Sequence, residues 1–172
     1  MLLRPRIIYC HGKLDHPYSK KAKIIQSISW DHGLDVIVPD FTRNNCPDRR
    51  ASHLIDYLNI SGNNTKTIYV GSNMGAYCAL VTSQIVQPDA MFLMSPTIGL
   101  PGYKQKNPLG KTRKGLIYIL HGKKDRIVSL KNVLEYANQY DCCLELVDDD
   151  HSLHDSENLI RTSYQKFLSQ AI

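Results

Sequence analysis

No stretch of this chain approaches the roughly 20 consecutive apolar residues needed to cross a bilayer. Its N-terminus runs through Arg4 and Arg6 into a strand pattern without the apolar block of a signal peptide. A cytoplasmic protein with no membrane partner is the expectation. Cysteine is sparse and odd in number. The five, at positions 10, 46, 78, 142 and 143, have no framework spacing, so reduced thiols are expected rather than disulfides. Without secretion, the glycosylation sequons at Asn59 and Asn63 carry no weight. Metal-ligand clusters and dinucleotide fingerprints are also missing, and no cofactor or metal is expected. Gly110-Lys-Thr112 resembles the end of a phosphate loop, yet Gln105 stands where the first glycine is required and a strand pattern follows instead of a helix. Repeats, linkers and low-complexity segments are absent as well, so residues 1–172 are read as one domain.

The apolar fraction, 42%, is that of an ordinary globular protein. The formal charge of +5 is mild, and lysine is spread along the chain except between Gly99 and Gly115. That stretch holds Lys104, Lys106, Lys111, Arg113 and Lys114 and no acidic residue. No recognition motif or interleaved aromatic platform accompanies it, which argues against nucleic acid. A solvated loop and an anion-attracting rim both remain open.

The apolar pattern alternates between two periods. Arg6–Cys10, Val36–Val38, Ile68–Val70, Ala90–Met94, Leu116–Leu120 and Cys143–Val147 are short apolar runs that read as buried strands. Between them lie helical patterns. Tyr18 to Asp31 carries Ile24, Ile25 and Ile28 on one face, with Lys20, Lys21 and Lys23 facing out. Pro47 opens a helix with Ala51, Leu54, Ile55 and Leu58 inward. Met74, Cys78, Val81 and Ile85 mark a third, Val133, Leu134 and Ala137 a fourth, and Ile160, Tyr164, Phe167 and Leu168 a fifth. Six strands alternating with helices specify a parallel sheet covered on both faces.

The third strand is where the chain concentrates its chemistry. Val70-Gly-Ser-Asn-Met-Gly75 passes from strand to helix within two residues, the pattern of the G-x-S-x-G nucleophile elbow. The middle residue, which should be the serine nucleophile, is Asn73. Ser72 sits one place early, where its side chain points away from the elbow tip. In open parallel sheets, function collects at the carboxyl ends of the strands. His11-Gly12-Lys13 follows the first strand, Asp125 the fifth and His151 the sixth. The order elbow, acid, histidine is that of a Ser-His-Asp hydrolase of the α/β type. Asp125 also fits a turn cap before the next helix, His154 rivals His151, and each His-Gly pair fits a plain strand-ending turn. Cys10, beside His11, is read as a buried and inert thiol.

Five segments in register carry a resemblance over essentially the whole chain: Ile7-Ile-Tyr-Cys-His-Gly12, Val70-Gly-Ser-Asn-Met-Gly75, Met94-Ser-Pro96, Ile119-Leu-His-Gly-Lys-Lys-Asp-Arg-Ile-Val128 and Asp149-Asp-His-Ser-Leu153. The sequence resembles a small, lidless bacterial α/β-hydrolase of the esterase-like kind. That resemblance implies a three-layer sandwich with a mostly parallel six-stranded sheet and no lid domain. It makes Asp125 the triad acid and His151 the base. It also makes the backbone N–H groups of Lys13 and Met74 the oxyanion-hole donors, with His11, Gly12 and Ser72 in the pocket. Asn73 departs from the family at the nucleophile.

An elbow residue needs a left-handed backbone, which asparagine tolerates better than serine does. Its amide, however, offers no hydroxyl for a histidine to deprotonate. Three readings stay open. The chain is a carboxylic-ester or thioester hydrolase scaffold that retains Asp125 and His151, with His151 activating water. Alternatively it is a pseudoenzyme that keeps the pocket for a small acyl or carboxylate ligand, drawn in by the basic loop. In the third, Asn73 deamidates to an aspartate nucleophile. In each case the partner is a small molecule, and the chain is a monomer or homodimer.

Overall fold

The computed structural model describes residues 5–61 and 66–172, so the expectations placed on Arg4 and Asn63 lie outside it. The chain runs β1 (Arg6–Cys10), α1 (Lys20–Asp31), β2 (Asp35–Ile37), α2 (Pro47–Ser61), β3 (Thr67–Ser72) and α3 (Met74–Ser83). It continues through β4 (Ala90–Met94), β5 (Leu116–Gly122), α4 (Leu130–Gln139), β6 (Cys143–Val147), a 3-10 turn (His154–Ser156) and α5 (Glu157–Ala171). The six strands form one sheet in the order β2-β1-β3-β4-β5-β6, every pair parallel. Between β4 and β5 the described residues form no helix or strand that could serve as a lid.

Side chains alternate across a strand, and the sheet divides its apolar residues accordingly. Ile7, Val70, Phe92 and Leu120 face α1 and α5, where they meet Ile24, Ile25, Tyr164 and Phe167. Ile8, Tyr69, Leu93 and Ile119 face the other layer, packing with Leu54 and Leu58 of α2, Leu80 of α3 and Val133 of α4. Burying a side chain of this size contributes about 1.5–3 kcal/mol, so the layers on both faces are held by the strand pattern itself.

Local departures from the sequence reading have identifiable causes. Helix α1 starts after Tyr18 because Ser19 caps it, its hydroxyl accepting from the Ala22 N–H at 3.2 Å. Helix α3 has no single apolar stripe: nearly all of its residues are buried, between the sheet and α2. It ends at Ser83, leaving Ile85 outside the helix and 68% exposed. In α4 the buried residues are Val133, Tyr136 and Ala137, while Leu134 turns out. Strand β5 continues two residues beyond Leu120, taking His121 and Gly122 into the sheet beside Leu146 and Val147.

The chain leaves β1 to one side for β2 and returns to the other side for β3, so the sheet has its topological switch point between β1 and β3. There α3 begins almost against the end of β1. A Cβ added to Gly75 would lie 1.9 Å from the Cys10 carbonyl oxygen, and one added to Gly71 would lie 2.5 Å from Ala76 Cα. Neither glycine has a positive φ. Both are required for space.

Gly75→Ala is therefore expected to cost at least about 3 kcal/mol, in the tail of single-substitution effects, because backbone rather than a flexible side chain blocks the new methyl. Gly12→Ala, whose added Cβ would meet nothing closer than 3.5 Å, should stay within about 1 kcal/mol of the parent. Urea unfolding of the two variants checks the contrast, and equal destabilisation would contradict it.

Candidate functional site

Asn73 stands at the tip of the β3-to-α3 turn with φ 53° and ψ −118°. This is positive-φ backbone, as the elbow requires, but its ψ is outside the left-handed helical basin expected from sequence. It matches the first central position of a type II′ turn, which glycine, asparagine and aspartate dominate. The turn is held on both sides: the Asn73 N–H donates to the Met94 carbonyl at 2.9 Å, and its own carbonyl accepts from Ala76 and Tyr77. Its side-chain Oδ1 accepts from the Ser72 hydroxyl at 3.1 Å. Ser72 thus turns its hydroxyl to the asparagine side chain, although it precedes the tip.

Asp125 and His151, from the loops after β5 and β6, are in contact. His151 Nδ1 lies 2.6 Å from Asp125 Oδ2. The other carboxylate oxygen accepts from the N–H groups of Ile127 and Val128, both at 2.8 Å. Asp125 both caps the turn and contacts His151, so the two placements do not compete. Burial pushes the Asp125 carboxyl up, but the hydrogen bonds from His151, Val128 and Ile127 outweigh it and hold the group below its ordinary 3.8. With Nδ1–H directed at a carboxylate, Nε2 of His151 is left with the lone pair. The rival His154 is exposed and makes no contact with Asp125 among the described residues.

Two features of this corner were not apparent from sequence. Gly122 lets the loop after β6 pass directly over the end of β5, since a Cβ there would lie 2.4 Å from the carbonyl oxygens of Asp149 and Asp150. That passage brings His151 to Asp125. His121, read as part of a strand-ending turn, is fully buried with Nε2 3.4 Å from the same Asp125 oxygen that holds His151. Burial lowers its pKa against the pull of the Asp125 charge, so the ring stands neutral behind the acid.

Asn73, Ser72, Gly12 and His151 line one cavity of about 840 Å³, together with the α1 cap Ser19, Lys20 and Lys21 from α1, and Lys124 and Arg126 from the β5–α4 loop. Among the described residues no hydrogen bond joins Asn73 to His151. The Met74 N–H, first in α3, and the Lys13 N–H carry no hydrogen bond among the described residues either, which leaves both donors unspent.

Three expectations are corrected. His11 does not line the cavity. Its ring is buried, with Nε2 accepting from the Phe41 N–H at 3.0 Å and Nδ1 2.9 Å from the Gly12 carbonyl, and desolvation lowers its pKa. Lys21 does not face out with Lys20 and Lys23. It is half-buried, and its Nζ reaches Ser72 Oγ at 3.5 Å. The basic loop between Gly99 and Gly115 supplies none of the residues lining this cavity.

Beneath the loop after β1 lies a residue that sequence reasoning passed over. Arg50 of α2 is fully buried without a carboxylate partner among the described residues. Its guanidinium donates to the carbonyls of Asn44, His11, Gly12 and Phe41 at 2.6, 2.9, 3.3 and 3.1 Å. Among the described residues no group of His, Cys, Asp and Glu could hold a metal ion. Among the described residues no helix is long and apolar enough to cross a membrane.

No protein-family model matches the sequence, and no curated protein matches it. Solved structures do. A protein assigned to the alpha/beta superfamily of hydrolases, from Xanthomonas campestris pv. campestris, superposes with a TM-score of 0.87 at 23% identity, covering 97% of this chain and 99% of that one. A lidless α/β serine hydrolase from Xanthomonas campestris gives 0.79 at 15% identity over 99% and 83% of the two chains. The esterase Pf2001 of Pyrococcus furiosus gives 0.78 at 15% identity over 97% and 83%. The fold of this chain is the lidless α/β-hydrolase fold.

Because the folded-state pKa of Asp125 lies below 3.8, its hydrogen bonds contribute stability above that value and lose it as pH falls through the folded pKa. In urea unfolding, the advantage of the parent chain over Asp125→Asn should therefore be full at pH 7 and shrink below about pH 4. An advantage that stays constant down to acid pH would show that the carboxylate is not held by these bonds.

Proposed function

We propose that the cavity is a carboxylic-ester or thioester hydrolysis site in which His151 acts on water, because Asn73 occupies the place of the nucleophile. The observation that carries this reading is the 2.6 Å bond between His151 Nδ1 and Asp125 Oδ2, at the edge of the cavity that Asn73 also lines. A carboxylate on Nδ1 fixes the tautomer and stabilises the imidazolium that forms when Nε2 takes a proton.

In this scheme a water between His151 and the substrate carbonyl gives its proton to Nε2 as its oxygen adds to the carbonyl carbon. The oxyanion so formed is received by the N–H groups of Met74 and Lys13, which are unspent among the described residues. Collapse of the tetrahedral species breaks the bond to the alcohol or thiol, which leaves with the proton from His151. No covalent intermediate is required, and none is available to an amide side chain. The esterase among the proteins of the same fold agrees with the substrate class.

A second reading, binding of a small acyl or carboxylate ligand without turnover, is favoured by the setting of Asn73. Its Oδ1 is engaged by Ser72, and no hydrogen bond connects it to His151 among the described residues.

Asn73→Ser separates the two. On the hydrolase reading it should raise turnover of p-nitrophenyl acetate by about 10³-fold or more and create a residue that a fluorophosphonate labels, since serine and histidine act as a unit. Adding Asp125→Asn to that variant should remove essentially all of the gain, because the serine then lacks an oriented base. No gain from Asn73→Ser, in a variant that unfolds cooperatively, would count against an intact hydrolytic site.

A further inference from the structure

Four cationic side chains line the cavity: Lys20, Lys21, Lys124 and Arg126. Two are spent at the exposed rim, Lys20 on Glu157 at 3.0 Å and Lys124 on Asp148 at 3.1 Å. Lys21 is different. It leans inward from the first turn of α1, and among the described residues its ammonium forms no ion pair and one long hydrogen bond, to Ser72 Oγ at 3.5 Å.

Three carboxylates act on it electrostatically, those of Asp15, Asp149 and Asp150, but each is turned to other donors. Asp149 accepts from the N–H groups of Asp150 and Asp155 and from the Ser156 hydroxyl. Asp150 accepts from the N–H and hydroxyl of Ser152, and Asp15 from the His16 N–H. Burial lowers the Lys21 pKa even against these three negative charges. Ser72 cannot complete the site, because its own proton goes to Asn73 Oδ1. Lys21 thus has three N–H donors and one weak acceptor, and a cation taken out of water without a partner is costly.

We propose that Lys21 seats a carboxylate of the ligand, so that the cavity selects esters or thioesters whose acyl part ends in a second carboxylate. This rests on the cavity being the acyl site. Two contacts in series, 3.5 and 3.1 Å, run from Lys21 through Ser72 to the side chain at the elbow tip. The seated carboxylate and the carbonyl over Asn73 are therefore close, and the spacer is about two to four carbons. Half-esters of short dicarboxylic acids fit that description. Neutral diesters lack the group that pairs with the ammonium, and longer chains put it in the wrong place.

The test is calorimetric titration of the full chain with monomethyl glutarate and with dimethyl glutarate, for the parent, Lys21→Met and Lys21→Arg. Monomethyl glutarate should bind the parent, and Lys21→Met should weaken it by about tenfold or more, as loss of a charge-assisted contact requires. Lys21→Arg should keep most of the affinity, and dimethyl glutarate should bind all three equally weakly. Equal affinity of the parent and Lys21→Met for monomethyl glutarate would overturn the proposal, as would a parent that does not prefer it to the diester. An unfolding curve is taken for each variant first. If Lys21→Met fails to fold, Lys21→Gln takes its place under the same criteria. Affinities are taken from the injection heats after any steady heat of ester hydrolysis is subtracted, so failure to hydrolyse p-nitrophenyl acetate would tell against the hydrolase reading alone, and equal affinities against this proposal alone.

Discussion

The start of α3 lies against the end of β1 with room for a hydrogen atom and nothing larger, and the geometry of the cavity depends on that approach. Gly75 meets the carbonyl of Cys10, and Gly71 meets the backbone of Ala76. These contacts fold strand, turn and helix into the smallest available space. They accompany the positive φ of Asn73 and the unbonded Met74 N–H among the described residues, and they place the loop after β1 beside both. Dense packing of backbone against backbone cannot relax around an added methyl, as a cavity lined by side chains can. The elbow is consequently a property of the backbone. It asks of position 73 only a residue that accepts positive φ, as asparagine does.

Much of this was readable from the chain. The strand runs, the elbow glycines and the strand-end positions of Asp125 and His151 follow from short-range patterns, because period and turn chemistry are local. What could not be read has its partner far away in sequence. Arg50 is adjacent to the buried Ala51, but its acceptors are carbonyls of residues 11, 12, 41 and 44, and no local pattern marks an arginine as buried. Lys21 stands in a run of lysines that reads as a solvated face until Ser72, 51 residues on, is set beneath it. His121 was mistaken for a turn because β5 runs two residues longer than its apolar stretch. The burial of α3 on all sides erased the amphipathic stripe by which Ile85 was judged.

Asparagine at position 73 divides the chemistry of the site from its architecture. The His151 and Asp125 pair is oriented by a 2.6 Å contact, with the Asp125 side chain buried and the His151 ring partly exposed to the cavity. On the side of α1, Ser72 and Lys21 make a polar wall whose one unmet need is an acceptor. The cavity is thus lined by the His151 ring on one flank and the Lys21 side chain on the other. A ligand that satisfies only one flank leaves a polar group of the other without a partner, and buried polar groups left unpaired discriminate strongly between ligands.

The two walls also differ in how freely they can be rebuilt. Arg50 ties the loop after β1 to the loop after β2 through four carbonyls, and shifting either would strand a guanidinium in the interior. On that side, drift in sequence is confined to changes that keep the backbone in place. The opposite rim, from Leu14 to Lys20 and from Ser152 to Glu157, mixes exposed and partly buried residues and is joined by the exposed Lys20 to Glu157 pair. New ligand preferences in relatives of this protein should therefore arise by replacement along that rim, with the arginine-tied wall inherited unchanged.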